Sequence, residues 1–131
     1  MIDVMWAADD KKAILLDFHG QWDLHMLKLA CKRAGHMLRA HEQRTHLILD
    51  FSENNGYLPK NALTGFHKAA EQITAQVGLI VVITVRTTLA RRIAQTLTQL
   101  GVTSLHSRLI FTNSVGEALY ATGSLNSPAA V

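Results

Sequence analysis

The stretch GLIVVITV, residues 78–85, decides the fold because it is the most hydrophobic and most β-branched run in the chain. β-branched residues favour extended strands, and a continuous apolar run is typical of a strand that is covered on both faces. The run is well short of the roughly 20 residues that cross a bilayer as a helix. It therefore predicts a central strand of a buried sheet and no transmembrane helix.

Four other runs predict further strands, and their order predicts the architecture. These runs are residues 2–8, 12–18, 46–51 and 108–112. The polar pair Asp9 and Asp10 between the first two runs predicts a hairpin. Apolar residues recur at helical spacing after the second run and after each later one, which gives the order ββαβαβαβα. Alternating strands and helices imply a mainly parallel sheet, with the first strand antiparallel at an edge.

The chain is predicted to be one α/β domain with a single mixed, mainly parallel five-stranded sheet and helices. Its 131 residues are 48% hydrophobic and 18% charged, which is typical of a folded globule. The domain is expected over residues 1–123, followed by a flexible tail at 124–131. The predicted helix starts are Asp23, Pro59, Thr87 or Thr88, and the capping box Ser114 to Glu117.

The charged residues, the histidines and the cysteine exclude several classes of function but do not identify one. The net charge is +3, and most of the basic excess falls between Lys28 and Arg44. This pattern is typical of a solvated helix face, and it also suits an acidic or phosphate-bearing partner. No nucleic-acid-binding module accompanies it. The seven histidines lack HxxxH spacing and Cys31 is alone, so we predict no metal site, no cofactor and no disulfide. No nucleophile motif is present, and we predict no enzymatic activity.

The segment LILDFS, residues 47–52, resembles the strand of STAS-like domains that ends in Leu-Asp-Leu-Ser. These domains are the family of the anti-sigma-factor antagonists, and the resemblance in element order extends over roughly residues 2–122. Members that act as phosphorylation switches carry an Asp-Ser-Ser/Thr-Gly motif, which falls here on Leu58-Pro59-Lys60-Asn61. No hydroxyl occupies the acceptor position, and Lys60 has the wrong charge to mimic phosphoserine. The resemblance therefore implies a regulatory interaction module that is not a serine-phosphorylation switch.

Two loops at the carboxyl ends of the predicted strands are candidate sites, because partners and ligands meet open α/β sheets there. The first is expected to contact a protein partner or a second copy of the chain, and it comprises Ser52, Asn54, Asn55, Tyr57, Pro59 and Lys60. The second is a candidate anion site at a helix start, and it comprises Arg86, Thr87 and Thr88. Turn formation and ordinary helix capping explain the same residues.

Two functions follow as expectations. The first is a non-enzymatic protein-interaction or regulatory module that can form a homodimer. It is expected to be cytoplasmic, since the N-terminus lacks a secretion signal. The second is a binder of a small apolar or lipid-like ligand between a helix and the sheet, with basic residues of the first helix near a head group. The aromatic residues expected around that ligand are Trp6, Trp22, Phe18 and Phe66, although their pattern is more typical of ordinary core residues.

Overall fold

A computed structural model describes residues 1–53, 59, 61–62, 64–65, 77–84, 88, 90–92, 95 and 109–125. No helix in these ranges is both long and apolar enough to cross a membrane. The strands are β1 (Ile2–Trp6), β2 (Ala13–Phe18), β3 (Thr45–Asp50), β4 (Val77–Ile83) and β5 (Leu109–Thr112), and the two continuous helices are α1 (Leu24–Ala40) and α2 (Val115–Ala121).

The five strands form one mixed sheet in the order β1-β2-β3-β4-β5. β1 pairs antiparallel with β2, and every other neighbouring pair is parallel. The predicted α/β class and the mixed, mainly parallel sheet are therefore confirmed. The predicted first strand, residues 2–8, is two residues too long, since β1 ends at Trp6. The chain then turns back towards β2, and Lys11 in this turn has a φ of 55°.

The sheet buries apolar residues on both faces. On the first face, Val4, Leu16 and Leu49 form one core cluster with the buried side of α1. On the second face, Ile48, Val81 and Ile83 form another cluster with Ala118 of α2. Side chains alternate along a strand, so β3 and β4 supply both clusters and lie at the centre of the domain.

The two continuous helices begin as the sequence predicts. Asp23 caps α1, and its carboxylate accepts a hydrogen bond from the Met26 amide at 2.8 Å. Ser114 caps α2, and its hydroxyl accepts from the Glu117 amide at 3.1 Å. Gly123 follows α2 with a φ of 86°, which is the left-handed conformation that glycine adopts without strain.

The predicted second and third helices lie mostly outside the described residues. Ala62, Thr64 and Gly65 are helical, and so are Thr88 and residues 90–92 and 95. Pro59 precedes the helical residues, and its carbonyl accepts a hydrogen bond from the Ala62 amide at 3.1 Å. Of the predicted tail, the amides of Ser124 and Leu125 both donate to the Leu119 carbonyl, and residues 126–131 are outside the described ranges.

An irregularity in the β3–β4 pairing is held by a histidine. Thr45 pairs with Val77 but Leu47 pairs with Ile80, so β4 has one extra residue opposite His46. The His46 Nδ1 accepts a hydrogen bond from the Leu79 amide at 2.9 Å, which requires the neutral imidazole. Burial, followed by the nearby Arg44 and Lys12, lowers the pKa of His46, and this favours the neutral form.

Gly78 is the position most sensitive to added volume in this irregularity. A Cβ there would lie 2.6 Å from the His46 Nδ1, and the ring is held by the Leu79 amide. We expect Gly78→Ala to lower the free energy of unfolding by about 1–3 kcal/mol, as measured by urea denaturation. In a His46→Ala background the same change should cost less, because the clashing ring is gone. An equal cost in both backgrounds would contradict this account of the position.

Candidate functional site

The carboxyl ends of β2 and β3 meet at one edge of the sheet, together with the start of the antiparallel β1. The register places Asp3 opposite Asp17, and Asp17 beside Asp50. His19 directly follows β2, and Glu53 lies in the turn after β3. We call Asp3, Asp17, His19 and Glu53 the edge cluster.

His19 lies at the centre of the edge cluster. Its Nε2 is 3.0 Å from an Asp17 carboxylate oxygen and 3.4 Å from an Asp3 oxygen, and its Nδ1 is 2.7 Å from a Glu53 oxygen. The His19 side chain is 35% exposed and that of Glu53 is 64% exposed. Solvent therefore reaches the cluster from the Glu53 side, where such contacts contribute little to stability.

Asp17 is the most enclosed carboxylate of the edge cluster. Its side chain is 21% exposed, and its Oδ1 is buried without a hydrogen-bond partner. Burial raises the pKa of Asp17, and the negative charges of Asp50, Glu53 and Asp3 raise it further, while His19 opposes the shift. Ionising Asp17 is therefore less favourable in the folded protein than in the unfolded chain, despite the imidazole beside it.

Asp50 fixes the start of the loop that follows β3. It is 5% exposed, and its Oδ1 accepts hydrogen bonds from the Ser52 amide at 2.9 Å and the Ser52 hydroxyl at 2.6 Å. This is the Asx type of turn, in which a side chain replaces a backbone acceptor. The Ser52 hydroxyl is thus bonded to a carboxylate, and the nitrogens of His19 contact carboxylates as well. Among the described residues, these two do not form a hydroxyl–imidazole pair of the kind that activates a serine nucleophile.

The edge cluster contains the ligand types of a cation site. Asp17, His19 and Glu53 each offer a ligand atom, and these atoms lie within 4.8 Å of one another, which is the only such group among the described residues. In the structure both imidazole nitrogens face carboxylates, so ion pairing accounts for the arrangement. His19 would have to give up at least one of these contacts to bind a metal ion through nitrogen.

The two loops predicted as sites are described only in part. Of the first, Ser52 is exposed at the turn and Pro59 is half-buried. Of the second, Thr88 is exposed and helical. The remaining residues of both predictions lie outside the described ranges, namely Asn54, Asn55, Tyr57, Lys60, Arg86 and Thr87.

Three of the aromatic residues expected around an apolar ligand, Phe18, Trp22 and Trp6, lie in the core cluster of the first face or pack against it. Phe18 is 1% exposed and Trp22 is 4% exposed, and Phe18 stacks on Phe51 with ring centroids 4.4 Å apart. Trp6 instead packs edge-on against His41, with a centroid separation of 5.1 Å. Phe66 is outside the described residues.

An open groove lies elsewhere, between β1 and α1. Its volume is about 330 Å³. Two of the apolar side chains beside it are well exposed, with Met1 65% and Leu29 55% accessible. We call this region the α1–β1 groove, and its lining residues are Met1, Ile2, Val4, Met26, Leu29, Ala30 and Arg33.

The charged residues on the solvent side of α1 are all basic. The helix contains no Asp or Glu, and all of its Lys and Arg residues are exposed. We call this side the basic face, and its residues are His25, Lys28, Lys32, Arg33, His36 and Arg39. Arg33 belongs to both the basic face and the α1–β1 groove.

No family model matches the sequence, and no curated protein matches it.

Sequence reasoning missed the edge cluster because it searched for histidine pairs along one helix. The cluster is assembled from β1, β2 and the turn after β3, which only the strand register brings together. One local signal was present: Asp17 and His19 are two residues apart at the end of a strand, and that spacing places side chains on one face. The α1–β1 groove was also missed, although the basic residues beside it were noticed.

Removing the charge of Asp17 should stabilise the protein at neutral pH. The raised pKa means that the folded state holds this proton more tightly than the unfolded state, so its contribution to stability is lost as the pH rises through the folded pKa. We expect Asp17→Asn to have a larger free energy of unfolding than the wild type at about pH 7, and the gain to shrink towards about pH 3.5, near the ordinary pKa of Asp.

Urea denaturation at both pH values measures this effect. Asp9→Asn, which removes an exposed carboxylate in the β1–β2 turn, controls for the loss of one negative charge. An Asp17→Asn variant less stable than wild type at neutral pH would mean that the His19 contact outweighs burial and the neighbouring carboxylates.

Proposed function

We propose that this protein is a non-enzymatic, STAS-like interaction module that binds an acidic protein partner through the basic face of α1 and the adjoining α1–β1 groove. The observation that carries the proposal is the combination of one-sign charge and exposed apolar side chains on a single surface. Leu29 is 55% exposed and Met26 is 41% exposed, and they lie among the Lys and Arg residues of the basic face.

The charge of this surface is not needed to hold the fold together. Among the described residues, no Lys or Arg of the basic face lies within 4.0 Å of a carboxylate oxygen. The chain has a net charge of +3, and α1 alone carries four Lys or Arg and no acid, so the rest of the chain is close to neutral. Like charges crowded on one helix repel each other, and a partner with carboxylates would relieve that repulsion.

The exposed apolar side chains of this surface support its assignment as a protein-binding site. Exposed hydrophobic residues that adjoin one another and are rimmed by polar groups are a common property of interaction sites. Methionine is well suited to such surfaces because its unbranched side chain adapts to different contacts. Met1 and Met26 both line the groove.

The loop after β3 is a second proposed contact region. Ser52 is exposed, and its hydrogen bonds to buried Asp50 give the loop a fixed starting point. The STAS-like resemblance supports this region, since the residues from Leu58 to Asn61 correspond to the segment that family members use for regulation.

This module is proposed to be cytoplasmic and regulatory, and to act without a cofactor and without binding nucleic acid. It is proposed to form a homodimer only as an alternative to the partner complex.

A second candidate function is binding of a small apolar or lipid-like ligand. The α1–β1 groove favours it, because a volume of about 330 Å³ is at the lower end of the range of ligand pockets. Arg33 at the groove is suitably placed for an anionic head group. Native mass spectrometry of gently purified protein distinguishes the two functions: a stoichiometric small-molecule adduct supports the ligand binder, and a bound protein supports the module.

Reversing one charge of the basic face should weaken partner binding. Arg33→Glu places a carboxylate where we expect carboxylates of the partner, so affinity should fall by about tenfold or more, as for a central interface residue. The control is Arg91→Glu, which makes the same change of net charge at an exposed helical residue outside α1 and should change affinity by less than about twofold. Isothermal titration with the co-purified partner measures both, and equal effects of the two variants would contradict the proposed surface.

Substitutions in the loop test the second contact region separately. Pro59→Ala together with Lys60→Glu should weaken binding of the same partner if the loop contributes, since the pair changes both the backbone restriction and the charge. The matched comparison is again isothermal titration against wild type. Unchanged partner binding and unchanged self-association would remove the Ser52 to Lys60 region from the proposal and leave the basic face as the interaction surface.

A further inference from the structure

β1 is the edge strand of the described sheet, and its outer side has no neighbouring strand in that sheet. The His19 amide donates to the Met1 carbonyl, and the Ala7 amide donates to the Ala13 carbonyl. In an antiparallel pair the backbone groups of alternate residues point to the neighbouring strand. Residues 1, 3, 5 and 7 therefore direct their backbone groups to β2, and the N–H and C=O groups of Ile2, Val4 and Trp6 point outward.

The same three residues present their side chains to the α1 side of the sheet. Val4 belongs to the core cluster of the first face, and Ile2 and Trp6 pack against it. Ile2 and Val4 also line the α1–β1 groove. A strand edge with no neighbour in the described sheet, an apolar groove and a basic rim are thus adjacent on one side of the molecule.

The opposite face of β1 has a different character. Asp3 points to that face and is 47% exposed, and Met5 is 41% exposed. A strand added beyond β1 would have its side chains alternately above these residues and above the groove. Carboxylates would be favoured on the groove side, near Arg33, and disfavoured on the side of Asp3.

We propose that β1 binds an extended, acidic segment of a partner protein as a sixth strand of the sheet. Backbone hydrogen bonds form with Ile2, Val4 and Trp6, an apolar side chain of the segment enters the α1–β1 groove, and its carboxylates contact Arg33 and the basic face. The side chains on the other face of the segment, near Asp3 and Met5, are neutral or basic. This inference rests on the proposed function and specifies the conformation and side-chain pattern of the partner.

Two other occupants fit this surface less well. A second copy pairing through β1 would bring two α1 helices close together, and each carries four Lys or Arg and no acid, so the two basic faces would repel each other. An anionic lipid surface would match the charge but lacks the amide donors that a strand edge requires. An extended acidic peptide satisfies the charge, the groove and the backbone groups together.

The first step of the test is selection of peptides from a random displayed library on the full chain. We expect the selected peptides to share acidic and apolar residues at every second position, on the side that faces the α1–β1 groove. Acidic residues should be depleted at the intervening positions, which lie on the side of Asp3. Arg33→Glu should weaken the best peptide by about tenfold or more, and Arg91→Glu by less than about twofold. Selected peptides without acidic enrichment would overturn the inference.

The second step tests the strand pairing itself with N-methylated versions of the best peptide. A methyl group on an amide that faces β1 removes one hydrogen bond and blocks close approach, so methylation at alternate positions should abolish binding. Methylation at the intervening positions, which face away from β1, should leave affinity within about threefold, because no hydrogen bond is lost there. Tolerance at both parities, or a helical bound peptide by circular dichroism, would overturn strand addition.

The remaining outcomes separate this inference from the proposed function. A natural partner whose binding is sensitive to Arg33→Glu but is not displaced by the selected peptide would overturn strand addition and leave the interaction module standing. Dimerisation through β1 in sedimentation velocity, or binding to phosphatidylserine vesicles that competes with the peptide at equal affinity, would also overturn the inference. If the chain binds neither a selected peptide nor any partner protein, both the strand addition and the interaction module are overturned.

Discussion

The position of β3 at the centre of a mixed sheet is the constraint on which the rest of the domain depends. β3 pairs in parallel with β2 on one side and with β4 on the other, and its Leu47, Ile48 and Leu49 are all at most 5% exposed. Burial of a strand on both faces fixes its register, because a shift by one residue would exchange every side chain between the two faces. The helices α1 and α2, the edge cluster and the outer side of β1 all take their places from this register.

The register also brings several carboxylates together at the carboxyl ends of β2 and β3. The basic face of α1 lies on a different surface. Asp3, Asp17 and Asp50 come together only because the carboxyl ends of β2 and β3 coincide and β1 runs the opposite way. Burial raises the pKa of Asp17, and the neighbouring carboxylates of Asp50, Glu53 and Asp3 raise it further. The basic face of α1, in contrast, remains exposed, and its charges are available to another molecule.

Much of the fold could be predicted from the sequence because the relevant interactions are local. The apolar run around Val81 predicted a central strand, and Asp23 predicted the start of α1. The capping box of Ser114 and Glu117 predicted α2 in the same way. The edge cluster, the groove and the irregularity held by His46 could not be read from these patterns, because each depends on side chains from separate strands. For His46, the pairing with Leu79 extends over 33 residues of sequence.

Hydrogen exchange of the full chain, measured by mass spectrometry with and without a protein found to bind it, tests the central proposal most directly. If the basic face and the α1–β1 groove form the interaction surface, backbone amides in β1 and α1 should exchange more slowly in the complex, over residues 2–6 and 24–40. Slower exchange confined to β3 and the residues that follow it, with β1 and α1 unchanged, would contradict the account and assign the interaction to the loop after β3.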